Sequence, residues 1–487
     1  MACKTERRFI AFTISAARHA SLRDIVMPPM PTYQRPRGTR DLLPDEAAAM
    51  DALQAVVQAR ALRYGYPRIS TPIIENREVF VKGVGEGSDI VGYEMYEVGQ
   101  RGEGGLTLRP EGTAAVVRAL LENGLHKSPQ PIRFFYWEPM FRGQRPQLMR
   151  FRQFWQWGLE CFGAPEAAAD VEIIDFANGL FAEVGFTAFE LEINTIGDEP
   201  CQAKLKTALG EYFAKHRDAL SAQSQRRVDT NALRVLDSKE PQDREIIAGA
   251  PKLTDVLCDE DKKHFAEVQD GLTRLGIAYK VVDTLVRGLD YYTRTVSEFV
   301  LTDPEYRKGG DIAVAAGGRY DGLVRRMGGP DLTGTGIAGG VDVLYYALKQ
   351  QGVTVAREPR ADVYVVSGQP DDFADRTQIA NPLREAGFTV AIDYSARPLE
   401  RQLESAIKHG ARVAVIRGTA EAAGGNVIVR DLGKKEQRVT RLAAVVTEVG
   451  RHVPKRPRPT LLKPPTNPDD HEPGAAGEAP FLTDPRD

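Results

Sequence analysis

The chain contains 487 residues, with 64 basic and 67 acidic side chains and a formal net charge of −3. Its 42% hydrophobic and 27% charged residues are ordinary for a globular protein, and the length allows roughly two to four domains. No apolar run approaches the length of a bilayer span, which excludes a membrane-spanning helix. The near-neutral charge implies that any RNA would be bound through local basic surfaces.

The cysteines are few and widely separated along the chain. They are Cys3, Cys161, Cys201 and Cys258, and they form no C-x-x-C pair or Cys/His cluster. A zinc site is therefore not expected. Four thiols in so long a chain favour a reducing, cytoplasmic location over a disulfide framework. Cys161 is interpreted as a small buried apolar residue.

Residues 1–30 form a basic N-terminal extension with few acids. The arginines and hydroxyl side chains faintly resemble an organellar presequence. The favoured interpretation is an incorrectly assigned start codon, with translation beginning at Met27 or Met30. The extension is otherwise expected to be disordered.

A helix is predicted to begin at Pro44 and to continue to about Tyr64. Proline suits the first helical position, and Asp45 and Glu46 suit the positive end of the helix dipole. A short strand is predicted from Arg68 to Ile74.

Aromatic residues dominate the segment from Phe134 to Glu160, which is interpreted as two antiparallel strands around a polar loop. Side chains alternate between the two faces of a strand. The predicted second strand therefore presents four polar side chains on one face, namely Arg150, Arg152, Gln156 and Glu160.

Arg142 ends the first of these strands, so three arginines are expected to converge on one patch. Guanidinium groups bind phosphate oxygens in a bidentate way, which favours a polyphosphate ligand. A solvent-exposed sheet face is the alternative. It does not account for arginines grouped with Gln156 and Glu160 beside an aromatic-rich partner strand.

The remainder of the chain divides into three stretches. Residues 198–276 have helical periodicity and many charges. Three apolar β-type runs between residues 360 and 450 alternate with helical stretches, with a fourth strand at Val427–Arg430, and this pattern predicts a small doubly wound α/β domain. Residues 453–487 are rich in proline and glycine and are expected to be a disordered tail.

Four ordered motifs resemble the histidyl-tRNA synthetase family of class II aminoacyl-tRNA synthetases. The segment from Phe141 to Phe154 resembles the family's motif 2, and Leu108–Thr113 resembles its amino-acid loop. Leu285–Tyr292 resembles the histidine-specific signature, and Gly317–Gly322 follows at the usual distance. The resemblance extends from about residue 33 to about residue 449.

The resemblance implies an α+β catalytic domain, built on an antiparallel sheet flanked by helices, with a helical insertion and a C-terminal α/β anticodon-binding domain. The helix and strand after Pro44 resemble motif 1, which implies a homodimer. The predicted boundaries are 1–30 for the extension, 31–352 for the catalytic domain, 198–276 for the insertion, 360–450 for the anticodon-binding domain and 453–487 for the tail.

The resemblance also implies a histidine–tRNA ligase reaction in two steps. The carboxylate of L-histidine attacks the α-phosphate of ATP, which gives histidyl-adenylate and pyrophosphate. The acyl group then passes to the 3′ end of tRNA(His). Mg²⁺ is expected to bind through the ATP phosphates, with no metal held by a protein cluster. A polar pocket can reject analogues that lack the imidazole, so no editing domain is needed.

Site residues follow from the matching positions. Arg142 and Arg287 are the implied catalytic residues, because they lie near the α-phosphate in the family. The implied ATP-binding residues are Arg142, Arg150 and Arg152. The implied histidine-binding residues are Glu111, Thr113, Arg142, Gln156, Glu160, Arg287, Tyr291 and Tyr292, with Glu111 and Thr113 at the α-amino group and Glu160 with a tyrosine at the imidazole.

The chain departs from the family pattern at several positions. Val343 occupies the place of the motif 3 arginine that packs on adenine, and Arg325 or Arg326 is the expected substitute. Gln144 replaces an acid in motif 2, Trp155 replaces a common histidine, and Leu148-Met149 replaces a basic loop tip. These departures keep two alternatives open: a non-catalytic, tRNA-sensing paralogue, and the regulatory subunit of ATP phosphoribosyltransferase.

Overall fold

The computed structural model describes residues 33–454 except 86, 101–102, 147–148, 231, 237, 239, 253–255, 287–288, 290, 305–311, 354–360, 369–372 and 396. The predicted N-terminal extension lies outside this part of the chain, as does the predicted tail apart from its first two residues. The chain forms two compact units, Met1–Val355 and Ala356–Asp487.

The first unit contains ten described strands in two sheets. The strands are β1 (Ile74–Asn76), β2 (Tyr96–Gln100), β3 (Glu103–Leu108), β4 (Ile132–Phe141), β5 (Gln153–Phe162), β6 (Phe189–Thr195), β7 (Lys280–Val281), β8 (Thr293–Leu301), β9 (Ala313–Arg319) and β10 (Gly334–Gly340). The larger sheet has the order β4-β5-β10-β9-β8-β6-β7, and the smaller has the order β1-β3-β2. Every pair from β4 to β6 in the larger sheet is antiparallel.

Ten described α-helices accompany these strands. They are α1 (Pro44–Arg63), α2 (Arg77–Val84), α3 (Thr113–Glu122), α4 (Ala167–Glu183), α5 (Glu199–Lys215), α6 (Ala222–Thr230), α7 (Arg244–Ala248), α8 (Asp259–Arg274), α9 (Leu323–Arg326) and α10 (Val341–Gln350). The antiparallel sheet with flanking helices confirms the predicted fold class. Helices α5 to α8 lie within residues 198–276, whose status as a separate insertion domain stays a prediction.

Helix α1 begins and ends where its local charges predict. Pro44 occupies the first turn together with two acidic residues, and Arg60 and Arg63 lie in the last turn, so both ends complement the helix dipole.

The prediction of a strand from Arg68 to Ile74 is wrong. Arg68 forms only an isolated bridge to Phe135, and β1 begins at Ile74.

Strands β4 and β5 confirm the predicted antiparallel pair, which is continuous from Ile132↔Phe162 to Phe141↔Gln153. One face of β5 packs into the main core through Trp157, Leu159 and Cys161. Helix α4 covers this face, and the rings of Trp157 and Phe176 lie 5.8 Å apart. Cys161 is therefore the buried apolar residue that was predicted, while Gln156 and Glu160 point to the opposite face.

The second unit has five described strands and four described α-helices. The strands are β11 (Val363–Ser367), β12 (Val390–Ile392), β13 (Val413–Arg417), β14 (Asn426–Asp431) and β15 (Gln437–Arg441); the helices are α11 (Phe373–Glu385), α12 (Leu399–Lys408), α13 (Thr419–Ala423) and α14 (Val445–Val449). The sheet order is β12-β11-β13-β14-β15. Its first three strands are parallel, as the strand–helix alternation predicts. The sequence prediction missed β15, which is polar and mostly exposed.

In the described part of the chain, no helix combines the length and the apolar character needed to cross a membrane.

A buried ion network fastens the helices to the covered face of the larger sheet. Asp170 in α4 accepts hydrogen bonds from His264 Nε2 (2.7 Å), Arg319 Nε (3.1 Å) and the Thr335 hydroxyl (2.7 Å). Burial alone would raise the pKa of Asp170, but Arg319 and His264 outweigh it and hold the pKa below its usual value. Arg319 is thus a structural cation with a fully buried side chain.

We expect Asp170→Ala to destabilise the protein by about 3 kcal/mol, because it removes the main counter-charge of a buried guanidinium. Thermal unfolding measures the effect as a lowered Tm. Asp270→Ala is the matched control, since Asp270 forms an exposed pair with Arg274 and its loss should cost less than about 0.5 kcal/mol. Equal Tm values for the two variants would show that the buried network contributes no more to the free energy of unfolding than an exposed ion pair does.

Candidate active site

A cavity of about 460 Å³ lies over strands β5, β10, β9 and β8. Most of the sequence-predicted site residues in the described part of the chain contribute to its lining, namely Glu111, Thr113, Arg142, Arg150, Gln156, Tyr291 and Tyr292. Glu160 lies directly behind this lining, bonded to two of the side chains that form it. The volume suits a small molecule held by a few polar groups.

Glu111 is fixed by the beginning of helix α3. Its two carboxylate oxygens accept hydrogen bonds of 2.8 Å from the backbone N–H groups of Thr113 and Ala114. Burial raises the pKa of Glu111, although these two N–H groups and Arg142 act in the opposite direction. The chain therefore places a desolvated carboxyl group at the cavity wall, where a bound cation would stabilise its charged form.

Glu160 forms the floor of the cavity and is only 1% exposed. One carboxylate oxygen accepts a hydrogen bond of 2.7 Å from the Thr113 hydroxyl, and the other accepts one from the Tyr320 hydroxyl. Burial raises the pKa of Glu160 to about 8, and the nearby Glu111 acts in the same direction. Both hydroxyl partners donate hydrogen bonds to the carboxylate, and no cation of the described residues contacts it.

Glycine in β10 makes room for this arrangement. Gly336 lies opposite Glu160 in the strand register. A Cβ atom at position 336 would lie 2.4 Å from Glu160 Oε2 and 2.7 Å from the Tyr320 hydroxyl. Any side chain there would separate the pair, which gives the glycine-rich sequence of this strand a direct steric reason.

Two buried polar atoms in the lining have no hydrogen-bond partner among the described residues. They are the Tyr136 hydroxyl and Gln156 Oε1. An unpaired buried polar group is costly, and a ligand that pairs with it recovers that cost. Burial raises the pKa of Tyr136 well above its usual value, so its hydroxyl stays protonated and can donate. The site thus offers one free donor and one free acceptor.

Arg142 and Arg150 supply positive charge to the lining. Arg142 Nε donates a 2.9 Å hydrogen bond to the Pro110 carbonyl, and its guanidinium carbon lies 5.2 Å from the centroid of the Phe154 ring. Arg150 is exposed at the cavity. These positions agree with a role in phosphate binding.

The prediction that Arg150 and Arg152 share the β5 face with Gln156 is wrong, because β5 begins only at Gln153. The backbone N–H of Arg152 donates instead to the Gly38 carbonyl. The Arg152 guanidinium donates to the carbonyls of Gln144 and Arg37, each at 3.3 Å. Arg152 is absent from the cavity lining, so it supports the loop instead of facing the cavity.

Arg287 lies outside the described residues. Three described residues close to it in sequence, Val286, Leu289 and Tyr291, line the cavity. Tyr291 and Tyr292 have ring centroids 4.6 Å apart. Burial raises the pKa of Tyr291 well above its usual value, and its hydroxyl therefore remains a donor.

The sequence analysis missed Tyr136, Tyr320 and Glu298, all of which line the cavity. Tyr136 lies opposite Gly158 in the strand register, and a Cβ at position 158 would lie 2.2 Å from its ring. The pairing of Tyr136 with Gly158 could be recognised only from the register between β4 and β5. Tyr320 directly follows the Gly-Gly-Arg motif, which was a usable local signal.

Val343 lines the cavity, as its place in motif 3 predicts. The sequence analysis expects Arg325 or Arg326 to take the place of the arginine that Val343 replaces. That expectation is wrong, since neither residue belongs to the lining. The guanidinium of Arg325 pairs with Asp331 at 2.9 Å and with Glu199 at 3.0 Å. Arg142 and Arg150 remain as cations in the described lining.

The raised pKa of Glu160 predicts a pH-dependent stability difference for Glu160→Gln. Between about pH 4.5 and about pH 8, the unfolded chain releases the Glu160 proton while the folded chain retains it. The folded state therefore loses stability as the pH rises through that window, by on the order of a few kcal/mol. The glutamine variant has no such proton to release. We therefore expect its Tm to exceed that of the unmodified chain more at pH 9 than at pH 5.

Glu122→Gln is the control for this comparison, because its side chain is 64% exposed. Its Tm should follow that of the unmodified chain at both pH values. A Glu160→Gln difference that does not change with pH would show that Glu160 is already ionised at pH 5 in the folded protein.

Comparison with known proteins identifies the family of the chain. The model of the histidyl-tRNA synthetase family matches residues 38–344, and the model of an anticodon binding domain matches residues 362–452. The histidine–tRNA ligase of Desulforudis audaxviator is 44% identical over 418 residues, which cover 86% of this chain and 98% of that relative. The corresponding ligase of Pelotomaculum thermopropionicum is 41% identical, covering 85% of this chain and 96% of that relative.

A solved structure gives the same result. The ligand-free histidyl-tRNA synthetase of S. aureus is similar with a TM-score of 0.72 and 31% sequence identity, over 86% of this chain and 99% of that chain. The buried carboxylates, the paired tyrosines and the ordered motifs thus occur in a chain that aligns with such proteins over nearly their whole length. This chain belongs to the histidyl-tRNA synthetase family.

Proposed function

We propose that the chain joins L-histidine to tRNA(His) in two steps, through histidyl-adenylate formed from histidine and ATP. Family membership and the identity to relatives named histidine–tRNA ligase support the overall reaction. The observation that carries the substrate assignment is the buried Glu160, which has hydroxyl donors on both oxygens and no cation beside it among the residues that the structure describes. An imidazole N–H is a partner that such a carboxylate lacks.

The polar groups of the cavity divide between the two ends of histidine. Glu160 accepts the imidazole N–H, and the unpaired Tyr136 hydroxyl and Gln156 Oε1 complete the polar surroundings, with Tyr291 and Tyr292 as the aromatic wall. Glu111 and Thr113 hold the α-ammonium group, whose positive charge offsets the desolvation of the Glu111 carboxylate. A substrate without an imidazole would leave buried polar groups unpaired, which gives strong discrimination.

The arginines act on the phosphates. Neither step requires a covalent enzyme nucleophile, since transfer of this kind depends on positioning and on stabilising charge. Arg142 orients the histidine carboxylate against the α-phosphate, Arg150 binds the outer phosphates, and Arg287 stabilises the charge that develops in transfer. Arg152 is not assigned to the nucleotide.

Mg²⁺ fits this site through oxygen ligands. It would neutralise phosphate charge when bound with ATP. Glu298 and Glu94 are carboxylate residues in the lining, and such hard oxygen donors match its preference. The ion would be held mainly by the ATP phosphates, as the family resemblance implies, and these two carboxylates are the candidates for additional ligands.

The domain roles follow from the matched regions. Residues 31–352 form the catalytic domain with its insertion at 198–276, and residues 360–450 bind the anticodon. The chain acts as a homodimer in the cytoplasm. Exposed apolar side chains near the motif 1 segment support the dimer, since such surface is costly to leave in water; they are Leu43, Leu62, Ile73 and Ile74.

The purified chain should catalyse histidine-dependent exchange between ATP and pyrophosphate, with the other amino acids inactive. Arg287→Ala should lower this exchange by about 100-fold or more, because a charge-stabilising group is lost, while the circular dichroism spectrum stays unchanged. Exchange with histidine would also show that Val343 is compatible with ATP binding. Folded protein without exchange would favour the second candidate, a non-catalytic tRNA-sensing protein, which Val343 supports.

Arg150→Ala should raise the KM for ATP about tenfold or more, because it removes a phosphate-binding cation from the cavity. Arg325→Ala is the matched control, since its guanidinium is held by Glu199 and Asp331 outside the lining. That variant should keep the KM of the unmodified chain. A raised KM for ATP in Arg325→Ala, with no change in Arg150→Ala, would show that Arg325 and not Arg150 binds the phosphates.

A further inference from the structure

Two helices begin side by side at a cluster of four metal-ligating side chains. Asp198-x-x-Cys201 opens α5, and Cys258-x-x-Asp261 opens α8. One ligand atom from each of the four residues lies within 4.8 Å of the others. Cys201 and Cys258 are distant in sequence, so the sequence pattern alone did not predict that their side chains lie close together.

The two helix starts are related by a reciprocal set of hydrogen bonds. Within α5, Asp198 Oδ1 accepts from the Cys201 N–H at 2.8 Å; within α8, Cys258 Sγ accepts from the Asp261 N–H at 3.4 Å. Between the helices, the Cys258 N–H donates to Cys201 Sγ at 3.3 Å, and the Asp198 N–H donates to Asp261 Oδ2 at 2.7 Å. Both sulfur atoms therefore accept hydrogen bonds from backbone N–H groups.

The surroundings are built to hold negative charge. Arg294 Nε donates to Asp261 Oδ1 at 2.9 Å. The positive ends of two helix dipoles also point at the cluster. Cys201 is 1% exposed and Asp261 is fully buried, so this is not an ordinary exposed acidic patch. Gly197 lies beneath it, and a Cβ there would lie 2.8 Å from the Cys201 Cβ and 3.2 Å from Asp261 Oδ2.

We propose that Asp198, Cys201, Cys258 and Asp261 bind one structural Zn²⁺ ion. Each pair has two residues between its ligands, as in the C-x-x-C pairs of structural zinc sites, with an aspartate in place of one cysteine. Two sulfur and two oxygen donors suit Zn²⁺, which accepts both kinds of ligand in a tetrahedral arrangement. Binding displaces the two thiol protons to solvent, and both carboxylates bind as anions.

The zinc would connect the helical segment to the active site. Gln202, next to Cys201, donates a 2.7 Å hydrogen bond to the carbonyl of Tyr292 in the cavity lining. The backbone N–H of Arg294 donates to the Gly197 carbonyl at 2.7 Å. Fixing the beginnings of α5 and α8 to each other thus fixes the loop that supports the tyrosine pair.

The test measures metal directly and does not depend on catalytic activity. The full chain, purified from zinc-supplemented cells and dialysed, should contain about one zinc per chain by mass spectrometry of the metal. The Cys201→Ala/Cys258→Ala double variant should lose it. Cys161→Ala is the matched control, because Cys161 lies in the apolar core, and it should retain the zinc.

Cobalt keeps the proposal testable if the double variant does not fold. Co²⁺ added to the metal-free, unmodified chain should give thiolate-to-metal absorption in the near ultraviolet and the visible bands of tetrahedral cobalt, and added Zn²⁺ should abolish both. The proposal is overturned by an unmodified chain that binds neither metal, by zinc retained in a folded double variant, or by a Cys201–Cys258 disulfide without metal. In each of those cases the cluster is only a hydrogen-bonded cap between two helices.

Discussion

The pairing of β5 with β10 is the contact on which the active site depends. Glu160 lies opposite Gly336 and Gln156 lies opposite Gly340, so the polar side chains of one strand extend over a neighbour that has no side chains at those positions. The cavity exists because β10 leaves this space empty, and the same strand packs Ile337 into the core on its other face. The alternation of side chains along one strand therefore separates the packed face of the sheet from the face that borders the cavity.

Buried carboxylates on the two faces of this sheet differ in what neutralises them. Asp170, on the covered face, has the protein's own cations beside it, and its pKa lies below the usual value. Glu160 and Glu111, on the cavity face, are as deeply buried, but their pKa values are raised by that burial. Asp170 has two basic side chains in contact with it, whereas Glu160 accepts hydrogen bonds from two hydroxyl groups and Glu111 accepts them from two backbone N–H groups. A ligand that brings a positive charge or an N–H group into the cavity would stabilise the ionised form of both glutamates.

Local sequence signals predicted the elements whose causes are local. Helix α1 has its proline, acids and bases within one contiguous segment, and the aromatic strands around Arg142 needed only their own alternation. The orientation of Arg152 could not be predicted from local sequence. Its backbone N–H donates to the carbonyl of Gly38, which is distant in sequence. Arg152 therefore lies outside β5, which begins at Gln153. The Tyr320 contact with Glu160 depends on which strands are neighbours in the sheet. Such contacts require the register of strands about 160 residues apart, which no local pattern contains.

Asp342, the neighbour of Val343, connects the segment before α1 to the wall of the cavity. Asp342 accepts hydrogen bonds from Arg40 Nη2 at 2.5 Å and from the Trp155 N–H at 2.7 Å. The Arg40 guanidinium carbon in turn lies 5.1 Å from the Phe151 ring centroid, and Phe151 forms part of the cavity wall. Arg40, which precedes α1, therefore contacts the cavity wall through Asp342 and Phe151, although Arg40 itself is not in the lining. Its guanidinium lies one layer behind the wall, where it packs against the Phe151 ring, and Arg142 and Arg150 are the cations of the described lining.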